Sequence, residues 1–477
     1  MRNLRKRPTT RSVRNTHSLR IALLGAAPLV LAQSAHAAGA CAPSWVQTFS
    51  APSSVVSSSV NAMTVFNDGG GCPALYVAGS FVAAGGATVN RIARWDGTSW
   101  TALGDGIGNG TVRALAVFDD GSGDGPALYA GGNFTTAGGA AANSIARWDG
   151  QSWSPLGAGV SGDVSALAVY NDGNGEALYV GGFFSSAGGA PNTNNIARWN
   201  GAAWSSVGGG ANSEVSALAV YNDGSGAALY AGGFFSNVGS SPALPVSRIA
   251  RWDGASWAAL GSGVSGGGPD VYAMVVHDDG SGGGDALYVG GEFTNAGGFA
   301  ASNVARWDGA AWSTLGSGVG GVLVDALAVY DDGSGAGPAL YAGGFFTTAG
   351  GASAMSIARW SGGSWSSLQS GMTGFVHALC AFDDRSGAGP ALYVGGDFAT
   401  SAAGDARLAK WQGCAPGVDC PADITNDCRV DFDDLAIVLS NFGQTGPDIP
   451  GDVNNDDAVD FEDLSIVLGA FGSDCPL

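Results

Sequence analysis

Two segments near the C-terminal end of the chain carry oxygen-bearing side chains at the spacing of a calcium-binding loop. The segments are DITNDCRVDFDDLAIVLSNFG from Asp423 and DVNNDDAVDFEDLSIVLGAFG from Asp452, 29 residues apart. Each begins with a 12-residue loop with oxygen side chains at positions 1, 3, 5, 9 and 12, while position 7 contributes a backbone carbonyl. The expected ligands of two Ca²⁺ ions are Asp423, Thr425, Asp427, Arg429, Asp431 and Asp434, then Asp452, Asn454, Asp456, Ala458, Asp460 and Asp463.

A helix is expected to follow each loop, because Leu, Ile and Val recur there at helical spacing. The pair resembles a type I dockerin over most of residues 421–477, which implies a cohesin-like partner. Two features depart from that family. Position 6 is Cys428 or Asp457 instead of Gly, and positions 10 and 11 are Phe-Asp or Phe-Glu instead of Ser/Thr pairs. Another extracellular protein is therefore the alternative partner.

The chain before this module is a series of repeats marked by the signature [ILV]-A-[RK]-W. The spacings between successive signature tryptophans are 53, 51, 53, 55, 53 and 51 residues. A fixed period near 50 residues indicates a repeat architecture in which each unit is one supersecondary element. The tryptophans are Trp95, Trp148, Trp199, Trp252, Trp307, Trp360 and Trp411.

Each repeat contains four short β-like runs joined by turns rich in Gly, Asn and Asp. In one copy the runs are Val164–Tyr170, Ala177–Val180, Ile196–Trp199 and Trp204–Val207. Four antiparallel strands repeated around an axis form a β-propeller. ALAVYNDG, ALYVGG, IARWDG and W-x-x-L-G occur in the order of a kelch repeat. This resemblance covers the chain from Trp45 to Gly413 and implies a propeller without implying an activity.

The copies predict seven blades, the last of which is completed from the N-terminal side. A Trp-bearing outer strand follows six of the seven third strands. The missing strand is expected at Trp45–Phe49, where its pairing with the last repeat would remove a free sheet edge. Cys41 and Cys414 fall in turns of this composite blade, and a disulfide between them is expected.

The predicted fold class is therefore all-β, a seven-bladed β-propeller of four-stranded kelch-like blades with a small C-terminal α-helical domain of EF-hand-like or dockerin-like type. The expected organisation is a signal peptide at 1–37, the propeller at 38–413, a linker at 414–420 and the dockerin-like calcium-binding domain at 421–477.

Candidate ligand-binding residues are expected where the repeats differ from one another. The second residue of each inner strand varies in polarity and size, and it should surround the mouth of the central channel. Such a mixed polar and aromatic funnel suits a sugar or a peptide segment, whereas solvated residues at loop edges are the alternative interpretation. The seven residues are Asn61, Arg113, Ser165, Ser216, Tyr272, Asp325 and His377.

The Asp-Gly turn after each inner strand allows two interpretations. A ring of metal sites is one, and a structural role is the other, in which each Asp caps turn amides or pairs with the basic residue of a third strand. Regular recurrence favours the structural role. These residues are Asp68, Asp120, Asp172, Asp223, Asp279, Asp332 and Asp384.

Residues 1–37 have the organisation of a secretory signal peptide. They hold seven of the 20 basic residues and no acidic residue, an apolar stretch at Ile21–Leu31 and an A-x-A cleavage site at Ala35–Ala37. A lipid anchor on Cys41 is the alternative. No stretch is long and apolar enough to span a membrane. The remaining chain is strongly acidic, which argues against nucleic acid and anionic membrane surfaces as partners.

No set of catalytic residues can be assembled from the sequence. The chain beyond residue 37 contains two histidines, His277 and His377, expected near opposite faces of the propeller. The sequence thus predicts a secreted, extracellular or cell-surface protein that binds a carbohydrate or protein ligand without catalysis and docks through its calcium module. A carbohydrate-active hydrolase or lyase acting in polysaccharide breakdown is the alternative, because dockerins generally accompany such enzymes.

Overall fold

The computed structural model describes residues 42–49, 55–69, 71–268, 270–414, 422–425, 430–446, 449–454 and 456–472. The expected signal peptide and Cys41 lie outside these ranges. Within them, no helix has the length and apolar character needed to cross a membrane.

Antiparallel sheets of four strands make up most of the described chain, and the strands of each sheet follow one order: inner, second, third and outer. The inner strands are Val60–Phe66, Val112–Phe118, Val160–Asn171, Val215–Asn222, Asp270–His277, Val319–Tyr330 and Met372–Phe382. The second strands are Ala74–Gly79, Ala127–Gly132, Glu176–Ala187, Ala227–Gly233, Ala286–Glu292, Ala339–Ala349 and Ala391–Ser401. The third strands are Ile92–Trp95, Ile145–Trp148, Ile196–Trp199, Ile249–Trp252, Val304–Trp307, Ile357–Ser361 and Leu408–Gln412.

The outer strands are Trp100–Ala102, Trp153–Pro155, Trp204–Ser206, Trp257–Ala259, Trp312–Thr314, Ser364–Ser367 and Ser44–Val46. Short strands at the ends of the sheets complete the described β-structure. They are Ala83–Ala84, Ala87–Thr88, Thr136–Ala137, Ala140–Ala141, Asn237–Val238, Leu244–Pro245, Val264–Ser265, Asn295–Ala296, Phe299–Ala300 and Ala352–Ser353.

The second strands are apolar along their length because both of their faces are covered. In ALYVGG every residue is buried. The Gly-Gly pair that follows Leu-Tyr allows two close approaches. A Cβ atom on Gly181 would lie 2.7 Å from Cγ1 of Val215 in the next sheet, and one on Gly182 would lie 2.0 Å from the carbonyl oxygen of Asp163. The glycines therefore let neighbouring sheets pack directly against each other.

The inner strands form a closed series of contacts. Each contacts the inner strand of the next sheet, and Met372–Phe382 contacts Val60–Phe66. Outer tryptophans join the sheets farther from the centre. Trp204, for example, donates from Nε1 to the carbonyl oxygen of Leu156 in the preceding sheet at 3.0 Å. The result is a propeller-like arrangement.

The strand supplied from the N-terminal side completes the last sheet, as predicted. Ser44–Val46 pairs antiparallel with Leu408–Gln412, with Trp45 opposite Trp411. The strand is shorter than the predicted Trp45–Phe49, because Phe49 turns into the core and its amide donates to Asp405 at 2.8 Å. Cys414 is disulfide-bonded, and since Cys41 lies outside the described residues, its bridge to Cys414 stays a prediction.

The turn aspartates have the structural role that their recurrence favours. Asp172 accepts a hydrogen bond from the hydroxyl of Tyr179 at 2.9 Å. Its carboxylate also lies 3.2 Å from Nε of Arg198. The Tyr–Asp bond recurs in the equivalent turns. These carboxylates therefore anchor their own sheets.

The C-terminal segment contains two helices, α1 (Phe432–Asn441) and α2 (Phe461–Ala470). Both begin with a capping box, in which an Asp at the N-cap and an Asp three residues later satisfy each other's backbone amides. The helices pack through a small apolar core. Its fully buried members are Val430, Val438, Val459 and Val467.

Candidate functional site

The seven predicted ligand-binding residues each follow a valine of an inner strand. They lie at one end of the ring of inner strands. A cavity of about 310 Å³ opens there, lined by residues from all seven inner strands. Ser216, Tyr272, Asp325 and His377 are among its lining residues. The other three predicted residues, Asn61, Arg113 and Ser165, are not, although their neighbours in sequence are. We call this end of the ring the channel mouth.

Several of the predicted residues form pairs between adjacent sheets. Nη1 of Arg113 lies 3.1 Å from Asp163, and the hydroxyl of Ser165 donates to Glu214 at 2.8 Å. These contacts hold Arg113 and Ser165 away from the cavity. They also bring a second set of residues to the mouth, which lie directly before the inner-strand valines.

A His–Asp pair also joins two sheets at the mouth. Nδ1 of His377 lies 2.5 Å from Oδ2 of Asp325. Phe375 stacks on the imidazole with ring centroids 5.6 Å apart. Phe345 stacks on Phe375 at 4.3 Å. The His377–Asp325 pair thus lies between the aromatic stack and the cavity. The other imidazole nitrogen, Nε2, takes no part in the contact with Asp325.

The repeats also differ in sequence at a position where one of them has two carboxylates opposite each other. Asp270 and Glu292 are paired residues across the ladder between an inner and a second strand. Asp270 is 7% exposed, and its side chain accepts from the amide of Val271 at 2.8 Å. Burial raises the pKa of Asp270 to about 7, with Glu214 and Glu292 acting in the same direction and the Val271 amide and Arg248 acting against it. Near neutral pH this carboxyl is therefore close to the midpoint of its titration.

Tyr272 lies among these acidic groups. Burial raises its pKa, and so do the charges of Asp270, Glu292, Asp325 and Glu214. Tyr272 and Asp325 are among the residues predicted from the sequence, whereas Glu214, Asp270 and Glu292 are not. For Glu214 and Asp270 a signal was available, because the residue before each inner-strand valine varies as widely as the residue after it. That position holds Ser59, Thr111, Asp163, Glu214, Asp270, Leu323 and Phe375.

Exposed aromatic side chains surround the mouth. Phe183, Phe234 and Phe345 each follow a Gly-Gly pair and are 62%, 48% and 40% exposed. The guanidinium of Arg248 lies 4.6 Å from the ring centroid of Phe234. Exposed aromatic rings at the rim of a cavity can contact apolar or cationic ligand groups.

Grooves between neighbouring sheets extend the concave surface. One has a volume of about 400 Å³ and is lined by Glu292, Asn303 and Val322, among others. A second, of about 450 Å³, is lined by Asn133, Ser161 and Asp163, among others. Both grooves have polar and apolar lining residues in similar proportion.

The second predicted calcium loop is described apart from residue 455, and its position-12 carboxylate draws the loop together. Asp463 is fully buried. It accepts from the amide of Asn454 at 3.2 Å and from that of Asp460 at 2.8 Å. Asp452 accepts from the amide of Asp456 at 3.1 Å. The carboxylates of this loop thus accept hydrogen bonds from its own amides.

Position 6 of this loop has the conformation normally supplied by glycine. Asp457 has φ +66°, which Asp tolerates better than most residues. The departure from the dockerin pattern at this position therefore leaves the turn intact. The equivalent residue of the first loop, Cys428, lies outside the described residues, together with Asp427 and Arg429.

The first loop shows the same closure by its last residue. Asp434 is fully buried and accepts from the amides of Thr425 and Asp431, both at 2.9 Å. Burial alone would raise the pKa of Asp434, but these hydrogen bonds hold it below its usual value. No group of three or more His, Cys, Asp and Glu side chains is gathered for metal binding in the described ranges, since these carboxylates are directed to loop amides.

The residues at loop position 10 form two matching exposed aromatic pairs. Phe432 and Phe461 are each 75% exposed. Phe432 contacts Phe471, and Phe461 contacts Phe442, in both cases edge to face with centroids 5.0 Å apart. The duplicated sequence therefore produces two similar apolar patches.

Comparison with known proteins finds no matching family model and no matching curated protein. The solved structures with similar folds include the computationally designed Ika8 protein, at 15% identity and a TM-score of 0.39 over 74% of this chain and 96% of that one. The extracellular domain of a putative hybrid two component system from B. thetaiotaomicron has 12% identity and a TM-score of 0.45, with 74% of this chain and 38% of that one covered.

A GH74 enzyme from Niastella koreensis has 15% identity and a TM-score of 0.42, with 75% of this chain and 44% of that one covered. The chain therefore spans less than half of the bacterial extracellular domain and of the GH74 enzyme. Its function has to be inferred from its own side chains.

Proposed function

We propose that this chain is a secreted, non-catalytic binding protein, in which a seven-bladed, kelch-like propeller is joined to a calcium-binding, dockerin-like module. The blade count is supported by the closed series of inner-strand contacts and by the strand order that the sheets share. Secretion is supported by the signal-peptide pattern of residues 1–37.

The propeller binds its ligand, a carbohydrate or a protein segment, at the channel mouth. The observation that carries this proposal is the cavity at which polar and aromatic side chains from different blades converge, including Tyr272, Asp325 and His377. A concave site with a few convergent polar groups is the usual form of a ligand site.

The binding site is tested by screening the secreted chain against arrays of glycans, polysaccharides and peptides. A variant with Arg113→Ala, Tyr272→Ala and His377→Ala is compared with a variant carrying Thr98→Ala, an exposed residue of a turn. We expect the triple variant to lose binding of any ligand found, because it removes a ring and an imidazole that line the cavity and a guanidinium beside it. Unchanged affinity in a folded triple variant would refute this site.

A carbohydrate-active enzyme is the second candidate, and the Asp270–Glu292 pair favours it. Asp270 is a buried carboxyl group with a raised pKa that lies opposite a second carboxyl group, and a glycosidase general acid likewise has a raised pKa and a second carboxyl group as its partner. The test is release of reducing ends from polysaccharides by the wild type and by Asp270→Asn. Release by the wild type that Asp270→Asn abolishes would replace the non-catalytic proposal.

The C-terminal module binds two Ca²⁺ ions and docks the chain to a partner. Calcium binding is supported by the four Asp side chains at the ligand positions of each loop and by the closure of each loop around its position-12 carboxylate. The ion would be held by the oxygens of Asp452, Asn454, Asp456, Asp460 and Asp463 and their first-loop equivalents. Calcium supplies positive charge that offsets the repulsion between these carboxylates, so its binding stabilises the folded module.

Docking is supported by the exposed Phe432 and Phe461 patches, because exposed aromatic pairs on a small module indicate a protein interface. A cohesin-like or other extracellular protein is the proposed partner. The test is capture from the secreted proteins of the source cell in calcium and in EDTA. A Phe432→Ser/Phe461→Ser variant should lose the captured protein, and capture that is equal in calcium and EDTA would contradict the proposal.

A further inference from the structure

We propose that the acidic half of the channel mouth, formed by Glu214, Asp270, Tyr272, Glu292 and Asp325, is a subsite for a cationic group, and that the ligand is an extended basic peptide segment. This inference rests on the proposed binding function of the mouth and names the chemistry of its ligand.

The first observation is a repulsive pair that the fold itself does not require. Asp270 and Glu292 are directly opposite across their strands, and like charges in this relation destabilise a sheet. Equivalent pairs in other blades avoid the repulsion. They are Asp163 with Phe183, Leu323 with Phe345, and Phe375 with Asp397. A locally unfavourable pair in otherwise regular repeats indicates selection for a function.

The second observation is a set of buried polar groups on this half that have one protein partner or none. Asp270 is 7% exposed, and the hydrogen bond found for its side chain comes from the adjacent amide of Val271. The hydroxyl oxygen of Ser216 is buried and has no hydrogen-bond partner among the described residues. Ser216 lines the same cavity as Tyr272 and Asp325. Buried polar groups in this state gain a partner when a ligand enters.

The third observation is the state of the nearby basic side chains. Arg113 is paired with Asp163, and His377 lies beside Asp325. Arg248 lies over Phe234, and burial raises the pKa of Asp270 more than the charge of Arg248 lowers it. Within the described ranges, no ion pair involves Glu214, Asp270 or Glu292. An ammonium or guanidinium group would satisfy these carboxylates and contact the face of Tyr272.

A peptide suits the surrounding surface better than a neutral sugar. The acidic half would keep uncompensated charge beside a neutral sugar, and that charge opposes desolvation. The exposed rings of Phe183, Phe234 and Phe345 offer contacts for apolar side chains on either side of the cation. The groove beside Glu292 extends the site outward from the cavity.

The test is calorimetry on the full chain in calcium with defined probes. The probes are an N-acetylated hexalysine peptide, the same peptide with every ε-amino group acetylated, and a neutral hexasaccharide of β-1,4-linked glucose. We expect the free lysine peptide to bind and its acetylated form to bind at least about tenfold more weakly. Glu214→Gln/Glu292→Gln should weaken binding of the lysine peptide at least about tenfold.

The matched control removes the same charge at the opposite end of the ring, with Asp124→Asn in a turn and Glu176→Gln at the start of a second strand, and should change the affinity by less than about twofold. Equal weakening by both variants, or no binding of the lysine peptide, overturns the inference. Binding of the hexasaccharide that depends on Tyr272 but not on the two glutamates also overturns it and leaves the proposed binding function intact. Thermal melting of each variant establishes that it is folded.

Discussion

Asp270 should make the stability of the propeller depend on pH in a direction opposite to that of an ordinary ion-paired aspartate. Its pKa is raised from 3.8 to about 7 in the folded protein, with burial as the largest cause. The folded state therefore keeps the proton at pH values where the unfolded chain has lost it. Since stability falls with pH wherever the folded state binds more protons, the contribution of Asp270 is fully present below about pH 4 and lost as the pH rises to about 7.

The size of the stability change follows from the difference between the pKa values of Asp270 in the unfolded and folded states. Each pH unit between the two pKa values is worth about 1.4 kcal/mol, so the difference corresponds to at most about 4 kcal/mol. Replacement of Asp270 by Asn removes the titration. We therefore expect the free energy of unfolding of Asp270→Asn, relative to the wild type, to rise by about 2 to 4 kcal/mol between about pH 4 and pH 8.

The assay is urea unfolding followed by tryptophan fluorescence. All 14 tryptophans lie between Trp45 and Trp411, so this signal reports on the β-sheets and not on the C-terminal helices. Asp163→Asn is the matched control, because Asp163 occupies the equivalent position but is paired with Arg113. A difference between wild type and Asp270→Asn that stays constant with pH would refute the reasoning.

Three further results are expected. Trp45→Ala should lower the free energy of unfolding of the propeller by about 3 to 5 kcal/mol, because Trp45 is buried against Trp411 and its Nε1 donates to Leu368 at 3.1 Å. Urea unfolding measures this loss, and a loss no larger than that of Val46→Ala would contradict closure of the last sheet by this strand. Calorimetry should give two Ca²⁺ ions per chain for the wild type and one for Asp463→Ala, and an unchanged stoichiometry would rule out the second loop. Asp457→Gly should raise calcium affinity in the same assay by the equivalent of about 1 kcal/mol, because glycine adopts φ +66° without strain. A weaker affinity would contradict this and would mean that the Asp457 side chain stabilises the loop.

The sequence by itself determined the strands, their order and the composite last sheet. The reason is that each repeat has the same apolar pattern, so a departure from the pattern is easy to recognise. The outer strand is missing after Trp411, and a matching segment stands before the first repeat at Trp45. It also determined the two loop–helix segments of the C-terminal module, because the loop spacing is local and duplicated. The structural role of the turn aspartates followed from the same regularity, and their contacts with Tyr and Arg confirm it.

The tertiary structure decided which of the divergent residues meet. Arg113 and Ser165 were expected at the cavity, but each turns to an acid of the neighbouring sheet. The Asp325–His377 pair joins residues 52 positions apart, and spacing alone cannot give the rotamers that bring them together. The opposition of Asp270 and Glu292 depends on strand register and on burial, which are set by packing between sheets. The acidic character of the mouth is therefore a property of the folded ring and not of any single repeat.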